Sequence, residues 1–183
     1  MNVLVTGASG FLGKYVINEL AHLNYKINTI GRHGKSTIIA DLSKEIPLLS
    51  ERYDMVIHVA GKAHVVPKTE KEVQEFYDVN LKGTQHLINS FEQLPKYFVF
   101  ISTVSVYGLD YGENITENTP LNAVEPYGKS KIMAEKEIMT WGKDKNVKIT
   151  ILRLPLIFGT NPPGNLKSMI NACLLYTSPS PRD

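Results

Sequence analysis

An apolar run, Val3-Leu4-Val5, breaks into Thr6-Gly7-Ala8-Ser9-Gly10-Phe11-Leu12-Gly13, and this one feature constrains the chain more than any other. A strand that ends in a glycine turn and re-enters as a helix leaves free N–H groups at the turn's mouth, where they attract phosphate. The three glycines have separate uses. Gly7 permits the tight turn, Gly10 lets backbone approach an anion, and Gly13 lets the helix pack on the strand. Glycine-rich turns recur in many folds, so the rest of the chain must decide what this one serves.

Downstream, apolar β-branched runs alternate with helical patterns, which predicts an α/β protein with a doubly wound parallel sheet. Strands are expected over residues 2–6, 26–30, 37–40, 55–59, 97–102 and 148–154, and helices over 11–23, 42–49, 70–93 and 126–143, with a short turn from Asn165. Six strands suit the Rossmann-type order 3-2-1-4-5-6. Thr69 followed three residues later by Glu72 reads as a capping box for the long helix, whose inward stripe is Val73, Phe76, Asn80, Gly83, Leu87 and Phe91.

Composition narrows the partners. A chain of 183 residues with 43% hydrophobic and 21% charged residues matches one soluble globular domain. A formal net charge of +2, with no basic face and no cationic amphipathic helix, argues against nucleic acid and membrane and for a small molecule. No signal peptide and no bilayer-length apolar run is evident, so a cytoplasmic location is expected. Cys173 is the only cysteine and the five histidines lack ligand spacing, so neither an intrachain disulfide nor a metal site is expected. The last residues, 173–183, resemble the translation of a sequencing adapter, and a non-native tail after Ala172 is the expectation.

Tyr127 and Lys131 stand one helical turn apart behind Pro126, on the face that carries Ala134 and Ile138. A free phenol titrates near pH 10, whereas a neighbouring cation and a helix N-terminus both favour phenolate, which would make Tyr127 a proton shuttle. The plainer alternative is an exposed helix with a snorkelling lysine. Ser102 and Thr103 close the fifth strand at the edge where open parallel sheets bind ligands, or else cap local backbone. Asn80 on a buried stripe must find hydrogen-bond partners, in a structural or an active-site network. Asp41, before Leu42, could meet an adenine amino group or cap a helix. In His58-Val59-Ala60-Gly61 the small residues let backbone approach a cofactor, while His58 reads as a packed core histidine.

Taken together, residues 1 to about 172 resemble the extended short-chain dehydrogenase/reductases, in their NAD-dependent epimerase/dehydratase family. The resemblance rests on the glycine turn, Asp41-Leu42, His58-Val59-Ala60-Gly61, Val79-Asn80, Ser102-Thr103-Val104-Ser105-Val106-Tyr107-Gly108, Tyr127 with Lys131, and Arg153-Leu154-Pro155-Leu156-Ile157-Phe158-Gly159. It implies that Tyr127 is the catalytic acid/base, that Lys131 lowers its pKa and holds the nicotinamide ribose, and that Thr103 bonds the substrate hydroxyl. It implies a cofactor site, for NAD or NADP, of Gly7, Ser9, Gly10, Phe11, Leu12, Gly13, Arg32, Asp41, Leu42, Val59, Ala60, Gly61, Asn80, Ser102, Leu154 and Ile157. Asn165-Leu166 looks like the start of a segment that grips a UDP pyrophosphate. On this reading residues 1–164 form the Rossmann-type domain and 165–172 begin a substrate lobe that is mostly missing. A nucleotide-sugar substrate and, for the full-length protein, a homodimer through the two long helices are further implications.

Departures from the family pattern narrow the chemistry. Sugar dehydratases carry Asp-Glu directly after the threonine, where this chain has Val104 and Ser105, and decarboxylating relatives place Glu at the position of Ser105. What remains is hydride removal and return at one sugar carbon, as in a UDP-hexose 4-epimerase. The alternative is reduction of a 4-keto sugar by NADPH. The second strand ends Ile30-Gly31-Arg32-His33, without the carboxylate that bonds the NAD ribose, and Arg32 could instead face a 2′-phosphate. A non-catalytic dinucleotide sensor is the rival from another class, though a sensor has no need of Tyr127 and Lys131.

Overall fold

A computed structural model describes residues 1–63 and 66–159. Strands β1 (Asn2–Thr6), β2 (Lys26–Gly31), β3 (Ile38–Ile39), β4 (Met55–His58), β5 (Tyr97–Thr103) and β6 (Lys148–Leu154) form one parallel sheet in the order β3-β2-β1-β4-β5-β6. The predicted order is the observed one. Helices α1 (Phe11–His22), α2 (Glu70–Phe76), α3 (Gly83–Ile88) and α4 (Pro126–Lys145) cover the sheet.

At the centre of the sheet both faces are covered, so β1 is continuously rather than alternately hydrophobic, whereas the edge strand β6 alternates exposed and half-buried residues. Val3, Leu4 and Val5 are all at 0% exposure. Val3 and Val5 meet Leu20, Val16 and Ile17 of α1 on one face. Leu4, Val56, Phe98 and Phe100 join Leu87, Ile138 and Trp141 on the other. The Trp141 ring meets Phe98 edge to face at 5.6 Å between centroids. Each such buried side chain contributes about 1.5–3 kcal/mol.

Registers align the carboxyl ends. Thr6 lies opposite Ile30 of β2 and His58 of β4, and Thr103 of β5 lies opposite Leu154 of β6. The segments leaving β1, β4 and β5 therefore emerge side by side along one edge.

Several local expectations change. Residues 42–49 form turns rather than a helix: Pro47 has no N–H and drives Ile46 out of the helical region, and Leu49, 1% exposed, bridges in parallel to Phe91. That bridge also ends the long helix early, at Ile88 instead of residue 93, with the Leu49 N–H bonded to the Ser90 carbonyl at 3.0 Å. The same helix widens into a π turn over Tyr77–Lys82, a distortion frequent at functional sites. The capping box is half made. The Glu72 N–H donates to Thr69 Oγ1 at 3.2 Å, but the Glu72 carboxylate accepts from the Lys68 N–H at 2.6 Å instead of from Thr69. α4 runs two residues beyond its expected end, to Lys145, and closes on Asn146 at φ 55°.

Candidate active site

The glycine turn is built as the sequence requires. Gly7 has φ +70°, and a Cβ there would stand 2.6 Å from the Ala60 nitrogen, so the turn packs directly on the backbone leaving β4. A Cβ at Gly13 would fall 2.1 Å from the Gly7 carbonyl oxygen, so no other residue lets α1 seat on the turn. Gly10 is the N-cap of α1, exposed, with no side chain capping the helix and no acid in its first turn. The first-turn N–H groups that follow Gly10, beginning with Phe11, Leu12 and Gly13, thus lack the usual side-chain cap. That end fits a pyrophosphate, with Ser9 exposed beside it.

Beneath the turn lies a neutral histidine. His58, 1% exposed, accepts at Nδ1 from the Thr6 hydroxyl (2.6 Å) and donates from Nε2 to Thr84 Oγ1 (3.0 Å), whose own hydrogen goes to the Asn80 carbonyl. Thr6 Oγ1 in turn accepts from the Ala60 N–H at 3.1 Å. Burial first, and Lys131 second, push the imidazole down to about 3, so His58 is a core histidine as expected. The linkage has a definite sign. The unfolded chain binds a proton at this imidazole below about pH 6.5 while the folded chain does not, so stability falls as pH drops through that point. Between pH 6.5 and 4.5 urea unfolding should lose about 2–3 kcal/mol, and a His58→Gln variant should lose most of that slope.

Asn80, 1% exposed in the π turn, clamps the loop after β4 to α4. Its Oδ1 accepts from the Lys62 N–H at 2.7 Å, and its Nδ2 donates to the Lys62 carbonyl (3.1 Å) and to Ser130 Oγ (2.9 Å). The loop that Asn80 holds in this way contains Val59, Ala60 and Gly61 at the sheet edge.

Tyr127, half-buried, opens α4 with its ring 6.1 Å from that of Phe76, beside a cavity of about 370 Å³ lined by Val66, Pro67, Phe76, Glu125 and Pro126. Gly128 brings this helix close: a Cβ there would stand 2.9 Å from the Ser105 carbonyl oxygen, in the 3₁₀ turn Val104–Tyr107 that follows β5. Thr103, 8% exposed, caps that turn by accepting from the Ser105 N–H at 3.2 Å, and its hydroxyl bonds Ser105 Oγ at 3.1 Å. Burial raises the Tyr127 phenol above its ordinary value, and the Thr103 hydroxyl draws it partly back. Lys131 is 4% exposed, with Nζ 4.0 Å from the centroid of Phe100 and 3.7 Å from where a side chain at Gly61 would begin. Burial pushes its ammonium down to about 7. The snorkelling alternative does not hold, because the lysine faces inward.

The other expected residues divide. Leu154 ends β6 opposite Thr103, and Ile157 follows in the adjoining loop. Arg32 is exposed just past β2. Asp41 is half-buried and occupied locally, accepting at Oδ1 from the Ser43 N–H (3.1 Å) and hydroxyl (2.7 Å), which holds its carboxyl below the usual range. The Leu42 carbonyl accepts from His86 Nδ1 at 2.7 Å, which ties this segment to α3. Ser102 is buried and spends its hydroxyl on Glu135, away from the edge. Asn165, Leu166, the expected turn from Asn165 and the segments 165–172 and 173–183 lie outside the described residues. Among the described residues no group of histidine, cysteine and acidic side chains could hold a metal ion, and no helix is long and apolar enough to cross a membrane.

Sequence reading overlooked Glu135 and Arg153 as a unit. Arg153 Nη2 lies 2.8 Å from Glu135 Oε2, with Nε 3.3 Å from both carboxylate oxygens, and Glu135 is 3% exposed. The available signal was a carboxylate one turn beyond Lys131 on an inward stripe.

Comparison with known proteins agrees with this geometry. The family model described as "NAD dependent epimerase/dehydratase family" matches residues 3–176. A UDP-glucose 4-epimerase of Lactobacillus helveticus is 32% identical over 182 residues, covering 91% of this chain and 54% of the relative. A decarboxylating sterol-4-alpha-carboxylate 3-dehydrogenase of Dictyostelium discoideum is 34% identical, covering 87% of this chain and 54% of its own length. The crystal structure of UDP-glucuronic acid 4-epimerase from Bacillus cereus in complex with NAD superposes with a TM-score of 0.72 at 27% identity, over 89% of this chain and 58% of that one. The chain therefore spans about half the length of the curated relatives it matches. With the predicted sheet order, the glycine turn and the tyrosine, lysine and threonine gathered at one edge, the chain belongs to the NAD-dependent epimerase/dehydratase family.

Proposed function

We propose that this chain is the dinucleotide-binding part of a UDP-hexose 4-epimerase. One observation carries the reading: Tyr127, Thr103 and Lys131 gather at the same sheet edge as the uncapped glycine turn. Bound NAD would accept hydride from the sugar's C4 and give it back. The chain's own residues manage the proton. Tyr127 Oη takes the hydrogen of the C4 hydroxyl as that carbon is oxidised and returns one when the ketone is reduced on its other face. The Thr103 hydroxyl orients the C4 oxygen, and the Lys131 ammonium favours phenolate and meets the nicotinamide ribose. The turn at Gly7, Ser9 and Gly10, with the N–H groups of Phe11, Leu12 and Gly13, receives the pyrophosphate.

Similarity to proteins named for UDP-sugars supports the substrate class, whereas the sterol relative shows that identity alone does not select the substrate. Val104 and Ser105 supply no carboxyl group beside Thr103, which disfavours elimination of water. The assay is direct. Full-length protein given UDP-glucose or UDP-N-acetylglucosamine should interconvert C4 epimers without added reductant, and consumption of NADPH on a keto sugar in place of epimerisation would overturn this reading. The proposal places the enzyme in the cytoplasm as a homodimer, with Asn165 and Leu166 toward the UDP group.

A second reading, the NADPH-dependent 4-keto sugar reductase, has one observation in its favour. Arg32 is exposed at the end of β2, and no carboxylate occurs anywhere from Lys26 to Ala40. If the arginine meets a 2′-phosphate, Arg32→Ala should weaken NADPH binding about tenfold and NADH binding less than about twofold, by fluorescence titration. Equal losses for both cofactors would remove the argument.

A further inference from the structure

Lys131 is useful to Tyr127 only while it is charged, and its surroundings work against that. It is 4% exposed, and burial pushes it down to about 7. Phe100 offers its ring face at 4.0 Å, and the carboxylate of Glu135, one turn further along α4, raises the lysine back toward its charged form. Glu135 is itself buried, at 3% exposure, and a lone carboxylate at that depth would cost several kcal/mol. Its carboxyl group is gripped from two strands. Ser102 at the end of β5 donates to Oε1, and Arg153 of β6 forks onto both oxygens. Arg153 is braced in turn, donating from Nη1 to Tyr107 Oη at 3.0 Å and to the Glu117 carbonyl at 3.2 Å.

We propose that Glu135 is a positioning residue of the reaction: its clamped, buried carboxylate keeps Lys131 protonated and so sets the pH range over which Tyr127 exchanges its proton. The inference rests on the reading of Tyr127 and Lys131 given above. The groups facing this column are Arg153 from β6, Tyr107 from the 3₁₀ turn, His58 from β4, and Tyr127 and Lys131 from α4 itself. His58 is neutral, and of the charged groups around Lys131 it is Glu135 that raises it. Burying an ion pair is weak evidence of a stabilising role, whereas a carboxylate one turn from a buried lysine acts on that lysine at short range.

The test uses Glu135→Gln in the full-length enzyme, a change that keeps the volume and an acceptor for Ser102. Loss of the negative charge lets Lys131 turn neutral, so the phenolate loses its partner and forms only at higher pH. The pH midpoint of single-turnover sugar oxidation should rise by about one unit, with the rate down about tenfold at pH 7 and within about twofold of wild type near pH 9.5. A residue that merely braces the fold would lower the rate alike at every pH, and an unmoved midpoint overturns the proposal. Glu135→Asp, which keeps the charge but withdraws it from Lys131, should shift the midpoint the same way by less, and serves if the glutamine variant fails to fold. Activity in Tyr127→Phe would sink the underlying reading instead. An inactive Tyr127→Phe beside unmoved midpoints in the Glu135 variants would sink the Glu135 assignment alone.

Discussion

Full-length enzyme carrying Tyr127→Phe should lose about 10³-fold in turnover while its cofactor dissociation constant changes by less than about twofold. General acid–base catalysis contributes on the order of 10²–10⁴-fold, and phenylalanine removes the only atom of Tyr127 that exchanges a proton. The ring itself is retained, so its packing at 6.1 Å from Phe76 and the seat of α4 against the 3₁₀ turn survive. Steady-state rates and a fluorescence titration of NADH separate the two effects. A variant that turns over normally would dismiss Tyr127 from the chemistry, and one that loses cofactor binding in step with rate would make its role structural.

The second large effect belongs to the glycine turn. In Gly13→Ala the new methyl would overlap the Gly7 carbonyl oxygen at 2.1 Å, and in Gly7→Ala it would meet the Ala60 nitrogen at 2.6 Å from a residue already at φ +70°. Neither clash can be relieved by a flexible side chain, since backbone lies on the other side of each. Displacing α1 from the turn spoils the N–H groups offered to the pyrophosphate and unpacks Val16, Ile17 and Leu20 from Val3 and Val5. Each variant should lose about 3 kcal/mol of stability in urea and at least about a hundredfold in NADH affinity. Gly10→Ala is the contrast, because its methyl would meet only the Gly7 carbonyl oxygen at 3.2 Å. It should cost far less stability. Near-native affinity in Gly13→Ala would mean that the turn is not the cofactor's seat.

What could be read from the residues was the part governed by periodicity. Val3-Leu4-Val5 announces a strand buried on both faces, and alternation of the apolar runs with helices then leaves few topologies, so the sheet order followed. The glycine spacing likewise has one steric meaning wherever it folds. Misreadings arose where a long-range contact overrode a local pattern. Residues 42–49 carry helical spacing, but Pro47 and the pairing of Leu49 with Phe91 keep them out of a helix, and the same pairing stops the following helix at Ile88. The capping glutamate was taken by the Lys68 N–H, a partner that no spacing rule marks.

The site divides along the same line. Tyr127 and Lys131 share a helix face by arithmetic, and Thr103 ends a strand, so their gathering at one edge was foreseeable. The balance of charge among them was not. Whether burial or a neighbour dominates the Lys131 ammonium depends on Phe100, Gly61 and Glu135 meeting in three dimensions, and Arg153 reaches Glu135 from a strand separated from it by the rest of α4. Ser102 stands at a strand end where a hydroxyl could meet a ligand or cap local backbone, and in the structure that hydroxyl bonds the same carboxylate, a partner that no spacing marks.

One isotope measurement bears most directly on the claim that proton and hydride leave and return at a single sugar carbon. Full-length protein supplied with UDP-glucose deuterated at C4, with no added reductant, should yield the C4 epimer with deuterium still at C4, read by proton NMR and mass spectrometry. Failure to form the epimer, or an epimer whose C4 deuterium has washed out into solvent, would contradict the account.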